Sequence, residues 1–394
     1  MPRTLRAVPL GGLPIAEAVA AVASALDGSG DALLPLPPDA AGAHGLDALE
    51  PGTALRPGED DDADPTALVL ATSGSTGTPK GALLQASALT ASATATHARL
   101  GGPGTWLLTL APHHVAGVQV LVRSSLAGTV PAVVDLAGGF STDAFVRATD
   151  GLVRRTDGRR YTALVPTQLV RLLDAGPAAV AAVASYDAVL VGAAATPPTL
   201  LARARTAGVR VVTTYGMSET CGGCVYDGTP LADVEVDLED GRILLGGPVV
   251  ARGYRLRPNA DAFVELGGRR WFRTDDLGEL VDGRLRVTGR ADDVIVTGGL
   301  KISPVAVEAV ISGLPEVSEC VVVGVPDAEW GQSVVAVVVA NGQQTVVLQQ
   351  LRAAVTAVLG PAAAPRRLVL VEQLPLRGPG KPDRAAVAAL AGPH

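Results

Sequence analysis

Thr72-Ser73-Gly74-Ser75-Thr76-Gly77-Thr78-Pro79-Lys80-Gly81 follows Ala67-Leu68-Val69-Leu70-Ala71, a short apolar run with strand character. A strand running into glycines and small hydroxyl residues is what a polyphosphate site requires. Glycine lets backbone N–H groups approach the phosphates, Ser and Thr add hydroxyl donors, and one lysine brings positive charge. The order is not that of a Walker A loop, because no Gly-Lys-Ser/Thr triplet closes it. Alone, a loop of this composition also suits a plain surface turn, so the rest of the chain decides.

The chain has 394 residues, enough for two domains and a large core. Hydrophobic residues at 48 % against charged residues at 18 % exclude a disordered protein, and aromatics at 3 % predict a core of Ala, Val and Leu. A net charge of −7 without a long basic run argues against a nucleic-acid partner. Cys221, Cys224 and Cys320 are too few for a secreted disulfide framework. Cys221-Gly222-Gly223-Cys224 has CxxC spacing. Zinc would need two further ligands, and His44, His97, His113, His114 and His394 form no matching pair nearby. Gly222-Gly223 is also poor for the helix that a redox pair opens, which leaves a structural loop as the expectation. No apolar run approaches bilayer-spanning length. After Arg3 and Arg6 the alanine-rich stretch is broken by Pro14 and Glu17. It therefore reads as an amphipathic helix rather than a signal peptide, and a cytoplasmic location is expected.

In chain order, 15–26 reads as a helix and Pro35, Pro37 and Pro38 as a loop. Glu59, Asp60, Asp61, Asp62 and Asp64 read as a solvated acidic loop. Beyond the glycine-rich stretch come a helix from an N-cap at Ser87 to Leu100 and a strand over 106–110. Ala111-Pro112-His113-His114-Val115-Ala116-Gly117 then leads into an apolar helix over 118–126 with one base, Arg123. A buried guanidinium needs an anionic partner: a protein carboxylate, a helix C-terminus or a carboxylate on a substrate. Strands over 131–135, 162–165, 188–191 and 209–214 alternate with helices over 169–173 and 198–207. Three of those strands run into Pro166-Thr167-Gln168, Gly192-Ala193-Ala194-Ala195 and Tyr215-Gly216-Met217-Ser218-Glu219-Thr220. The alternation predicts doubly wound α/β layers with ligands at the strand C-terminal ends. From Val234 short strands and turns predict a β-rich subdomain carrying Gly253-Tyr254-Arg255 and Arg273-Thr274-Asp275-Asp276-Leu277-Gly278. Gly289-Arg290-Ala291-Asp292-Asp293 reads as a boundary. The expected domains are residues 1–290 and a small, mobile α+β domain, 291–394, ending with Pro379-Gly380-Lys381-Pro382-Asp383-Arg384.

The order of these motifs resembles the adenylate-forming superfamily, which holds acyl-CoA synthetases, carrier-protein adenylation domains and luciferases. Within it, residues 113–126, 166–173 and 215–228 are similar to the o-succinylbenzoate–CoA ligase group of menaquinone biosynthesis, especially its short actinobacterial form. The front of the chain is shorter than in most of the superfamily, so part of the N-terminal subdomain must be reduced.

The resemblance implies an ATP-dependent acid–thiol ligase. A carboxylate attacks the α-phosphate and releases pyrophosphate; CoA then takes the acyl group and AMP leaves. It assigns Thr72, Ser73, Gly74, Ser75, Thr76, Gly77 and Lys80 to the β- and γ-phosphates, and Gly192, Ala193, Ala194, Tyr215 and Gly216 to the adenine slot. Glu219 would bind Mg2+, Thr220 would contact the α-phosphate, and Asp276, with Arg290 close by, would bind the ribose. Lys381 would bridge carboxylate and α-phosphate. Asp292 matches the hinge, and Gly298 and Gly299 the CoA segment, where Lys301 stands in place of the Arg of many relatives. His114, Thr167 and Met217 would line the acyl pocket, with Arg123 as anchor for the aromatic carboxylate of o-succinylbenzoate.

The implied partners are a small carboxylic acid, ATP and CoA, with no nucleic acid and no membrane span; a homodimer is compatible. Alternatives are a ligase for another aromatic or fatty acid, an enzyme loading a carrier protein, and a nucleotide-binding regulator. The retention of Lys381, Glu219 and the hinge argues against the regulator.

Overall fold

The computed structural model describes residues 3–37, 45–72, 79–257, 260–342, 344–376 and 382–392. Ser73, Gly74, Ser75, Thr76, Gly77 and Lys381 lie outside the described residues. Two compact units divide the chain: Met1–Ala193, Ala204–Asp237 and Leu244–Thr274 form the first, and Ala194–Arg203, Leu238–Ile243 and Asp275–His394 the second. The last division falls before Asp275, earlier than the expected boundary after Arg290.

The first unit holds two sheets. One contains β1 (Leu5–Val8), β2 (Ala32–Pro35), β3 (Thr66–Thr72) and β4 (Lys80–Gln85), closed by the two-residue strand Gly253–Tyr254. β1, β2 and β3 run parallel, whereas β4 returns antiparallel to β3, with Thr72 opposite Lys80. The glycine-rich stretch therefore connects a hairpin, where the sequence suggested a strand, a loop and then a helix. β1 and β2 were not foreseen. Each is four residues long, and β2 ends in a proline, so pairing across the sheet rather than local pattern makes them strands.

The second sheet runs in the order β11-β10-β9-β8-β7-β5-β6. Its members are β5 (Thr105–Leu108), β6 (Ala132–Val133), β7 (Arg160–Leu164), β8 (Ala188–Val191), β9 (Val211–Met217), β10 (Gly222–Tyr226) and β11 (Thr229–Pro230). β5 to β9 are parallel and β10 turns back on β9. This is the expected α/β layering. Helices α1 (Ile15–Leu26), α2 (Ala86–Arg99) and α3 (Val115–Leu126) pack between the sheets, α1 on β3, α2 on β4 and β10, and α3 on β5 and β10. Leu, Val and Ala dominate the interior, and the few aromatics go deep, with Trp106, Tyr161, Tyr186, Tyr226 and Phe145 fully buried.

Two expectations about the front of the chain are corrected. Ser87 is not the N-cap of α2, which begins one residue earlier after Gln85; Ser87 donates from its backbone N–H and hydroxyl to the Asp64 carboxylate at 2.9 and 2.7 Å. The acidic run is not a solvated loop either. Asp60 is paired with Arg3, and Glu59 is buried, with Oε2 2.6 Å from Arg255 Nη1. Asp61 and Asp62 alone in it are exposed.

In the second unit, strands Ile295–Thr297, Leu300–Ile302, Val317–Asp327, Gly331–Ala340 and Arg367–Leu370 form one sheet. Its alternating side chains feed two cores. Val322, Val334, Ala336 and Val338 pack with helices Pro304–Ile311 and Leu348–Leu359; Val321, Val323, Val335 and Val337 pack with Val387 and Ala391 of helix Arg384–Ala391. The small α+β domain is thus present, with one helix, Arg384–Ala391, that the sequence reading left out. Arg384 at its first turn donates to Glu308 Oε1 and the Val322 carbonyl, each at 2.7 Å, and lies 3.1 Å from Asp293.

Candidate active site

In the first unit the candidate residues gather at the C-terminal ends of β5, β7, β8 and β9 and at the β3–β4 connection. Gly192 directly follows β8. A Cβ there would stand 2.3 Å from Thr214 Oγ1, so only glycine lets the two strand ends meet. Ala193 follows with φ +68°, a left-handed conformation costing about 1 kcal/mol for a residue with a Cβ. Ala194 belongs to the second unit.

β9 runs further than the sequence suggests, so Tyr215, Gly216 and Met217 are strand residues paired with β10. Gly216, at φ +155°, faces Gly222, whose carbonyl oxygen would lie 2.1 Å from an added Cβ. One 3₁₀ turn, Ser218–Thr220, joins the two strands and presents Glu219. The Glu219 carboxylate is buried at 7 % exposure and accepts from the Tyr254 hydroxyl at 2.7 Å, while its carbonyl accepts from Ala251 N–H at 2.8 Å. Thr220 holds the turn together. Its fully buried hydroxyl accepts from Met217 N–H at 3.0 Å and donates to the Gly222 carbonyl at 2.9 Å. It closes the turn, and a phosphate contact would cost it that second bond. Lys80, the first residue of β4, stands with Nζ 5.3 Å from the Tyr254 ring centroid, and Thr72 Oγ1 donates to the Lys80 carbonyl at 3.2 Å.

The acyl-pocket candidates hang on α3. His114 is its half-buried N-cap, with its ring 4.3 Å from that of His113. Val115, Gln119 and Arg123 follow at four-residue spacing, which aligns them along one helix face. That face meets β10: Gln119 Nε2 donates to the Cys221 carbonyl at 2.6 Å, and Arg123 Nη2 reaches the Tyr226 hydroxyl at 3.5 Å. Arg123 is 3 % exposed and stacks on Trp106 at 5.0 Å. Burial pulls its pKa below the guanidinium norm, with Tyr226 opposing. Among the described residues no carboxylate pairs with it, and both Arg123 Nε and Gln119 Oε1 are buried without a partner. Thr167 sits in the first turn of the helix Pro166–Asp174, half-buried. Its neighbour Gln168 closes that turn by accepting from Val165 N–H at 3.0 Å and donating to the Thr109 carbonyl at 3.1 Å, which ties β5 to β7.

Cys221 and Cys224 are free and fully buried beside this face. Burial pushes the Cys224 thiol up to about 12 and Cys221 higher still, so both stay protonated at neutral pH. Among the described residues no group of three or more His, Cys, Asp or Glu could hold a metal. A Mg2+ bound through one carboxylate and substrate phosphates needs no such cage, and buried Glu219 suits it.

In the second unit Asp276 lies opposite Arg290 on paired strands, with Arg290 Nη1 3.5 Å from Asp276 Oδ1; Arg290 also stands 3.6 Å from Asp275 and 3.8 Å from Asp292. Asp292 occupies the 3₁₀ turn Ala291–Asp293. Gly298 and Gly299 form the turn between Ile295–Thr297 and Leu300–Ile302, and Gly298 donates to the Trp330 carbonyl at 2.9 Å.

Sequence reasoning missed Tyr254, Gln119, Tyr226 and Trp106. Gln119 was discoverable from its four-residue offset to Arg123. The others depend on partners remote in the chain.

Comparison with known proteins identifies the family. The AMP-binding enzyme family model matches residues 15–255, and the AMP-binding enzyme C-terminal domain matches residues 306–381. The chain is 51 % identical over 339 residues to a probable 2-succinylbenzoate–CoA ligase of Mycobacterium tuberculosis, covering 85 % of this chain and 86 % of that one. It is 29 % identical to the 2-succinylbenzoate–CoA ligase of Enterococcus faecalis, over 81 % of this chain and 68 % of that one. Among solved structures it is similar to o-succinylbenzoate coenzyme A synthetase of Bacillus subtilis in complex with AMP, with TM-score 0.69 and 28 % identity, over 82 % of this chain and 69 % of that one. Among the described residues no helix is long and apolar enough to cross a membrane. With a family model spanning more than half its length and a half-identical relative along most of it, the chain belongs to the AMP-binding enzymes.

Proposed function

We propose that this protein is an ATP-dependent acid–CoA ligase that converts 2-succinylbenzoate to 2-succinylbenzoyl-CoA, a step of menaquinone biosynthesis. The observation that carries the reading is Arg123, a fully buried guanidinium with no carboxylate partner among the described residues and with Nε unsatisfied. 2-Succinylbenzoate has two carboxylates: the aliphatic one is activated, and the aromatic one supplies the anion that Arg123 lacks. Gln119 Oε1 on the same face and His114 at its head complete the polar lining. A long fatty acid would leave the guanidinium without a counter-ion, which disfavours that alternative.

In the first half-reaction the aliphatic carboxylate oxygen bonds to the α-phosphorus and pyrophosphate leaves. The chain's task there is to bring two anions together, which it does with fixed positive and polar groups. Lys80 and the glycine-rich stretch hold the outer phosphates, Asp276 beside Arg290 takes the ribose hydroxyls, and Gly192, Ala193, Ala194, Tyr215 and Gly216 bound the adenine. Glu219 would hold the Mg2+ that neutralises phosphate charge. Lys381 bridges the carboxylate and the α-phosphate. In the second half-reaction the CoA thiol sulfur bonds to the acyl carbon and AMP leaves. For this step the chain turns at Asp292, and the Gly298–Gly299 segment replaces Lys381.

The test is pyrophosphate release with ATP over a panel of carboxylic acids, with and without CoA. Release with 2-succinylbenzoate, followed by its CoA thioester, supports the reading. Turnover with benzoates or fatty acids and none with 2-succinylbenzoate overturns the substrate while keeping the chemistry.

A further inference from the structure

Tyr254 connects two groups that the sequence motifs leave separate. Its hydroxyl donates to Glu219 Oε1 at 2.7 Å, inside the fold, and its ring face lies beneath Lys80 Nζ at 5.3 Å. The side chain is 5 % exposed and meets Phe263 edge-on, with ring centroids 5.0 Å apart.

Its backbone is held from both sides. Gly253 and Tyr254 pair with Leu83 and Ala82 of β4, the strand that leaves the glycine-rich stretch. Next in sequence, Arg255 donates Nε to the Leu49 carbonyl at 2.6 Å, Nη1 to Glu59 at 2.6 Å and Nη2 to Thr53 Oγ1 at 2.7 Å. Just before it, Ala251 N–H donates to the Glu219 carbonyl at 2.8 Å. A phenol fixed in this way can set the rotation of a carboxylate. Groups that hydrogen-bond a metal-binding carboxylate govern its affinity as the ligand itself does.

We propose that Tyr254 is a positioning residue of the nucleotide site. Its hydroxyl sets the Glu219 carboxylate and its ring seats Lys80, so that one side chain aligns the cation-binding and phosphate-binding groups. The inference rests on the reading of Glu219 and Lys80 given above and adds a residue to it.

Calorimetric titration of the whole protein with α,β-methylene-ATP, in Mg2+ and in EDTA, tests it. Tyr254→Phe removes the hydroxyl and keeps the ring. The expected result is affinity weakened about 10-fold or more in Mg2+ and unchanged in EDTA. In a Glu219→Gln background the same substitution should add nothing, because the two groups act as a unit. Equal weakening in both arms, no weakening in Mg2+, or full additivity with Glu219→Gln overturns the proposal. If the wild-type protein shows no Mg2+-dependent nucleotide binding, the reading of Glu219 itself falls, a result distinct from a wild-type response that Tyr254→Phe leaves untouched.

Discussion

Arg123 and His97 are two buried side chains, each with a ring or guanidinium nitrogen left without a hydrogen-bond partner. Arg123 keeps its charge in an apolar setting, with an aromatic face at 5.0 Å and one phenol at 3.5 Å as its neighbours. Cation–π attraction offsets about 2 kcal/mol of such a cost when the site is dry, well below the cost of burying an ion. Replacing the guanidinium with an apolar side chain should therefore leave the free protein as stable or more so. The same change should raise KM for 2-succinylbenzoate by about 30-fold or more, matching the loss of one partner from a buried charge pair. Steady-state kinetics and thermal melting of Arg123→Leu check both halves, and an unchanged KM contradicts the assignment. His97 ends α2 with Nε2 buried and unpartnered; burial, and then the Arg123 charge, hold it below the ordinary imidazole value of 6.5. The unfolded chain therefore takes up this proton first as pH falls. The stability His97 contributes is complete above pH 6.5 and is lost below it, towards its lower folded value. His97→Gln should flatten the acid limb of the stability curve below that pH, and an unaltered slope would show that other groups set it. Arg123 was legible as a candidate because a lone base in an apolar helix demands a partner. The missing carboxylate became visible only with the fold.

At the scale of elements, local pattern served best where local pattern decides. Helix α1 and β8 match the sequence reading to the residue, because an amphipathic run and a short buried apolar run each specify one structure. β1, β2 and β4 were illegible because short strands owe their existence to neighbours in the sheet. The acidic run misled for the same reason: Arg3 and Arg255, the partners of Asp60 and Glu59, are remote in sequence. That burial makes a prediction. Arg255→Met strands the Glu59 carboxylate inside the fold and should lower the unfolding free energy by about 3–5 kcal/mol, read by urea denaturation. The double change to Met at both positions should recover most of the loss. If the single variant is as stable as wild type, the pair does not secure the front of the chain to strand Gly253–Tyr254.

For the whole molecule, the order of motifs was more telling than any one of them. The α/β layers and the α+β C-terminal part are present as expected, and residues 73–78 of the glycine-rich stretch and Lys381 lie outside the described residues. Thioester formation as proposed needs the chain to turn at Asp292, which lies 3.8 Å from Arg290 in the 3₁₀ turn Ala291–Asp293. Proline fixes φ there. Asp292→Pro should slow thioester formation far more than ATP–pyrophosphate exchange, and equal loss of both would place the hinge elsewhere. The most direct measurement compares kcat/KM of the wild-type protein for 2-succinylbenzoate and for 4-oxo-4-phenylbutanoate, which lacks only the aromatic carboxylate. A buried guanidinium with no carboxylate partner among the described residues predicts a preference of about 30-fold or more for the dicarboxylate. Equal values for the two acids would contradict the assignment of Arg123 and, with it, the substrate.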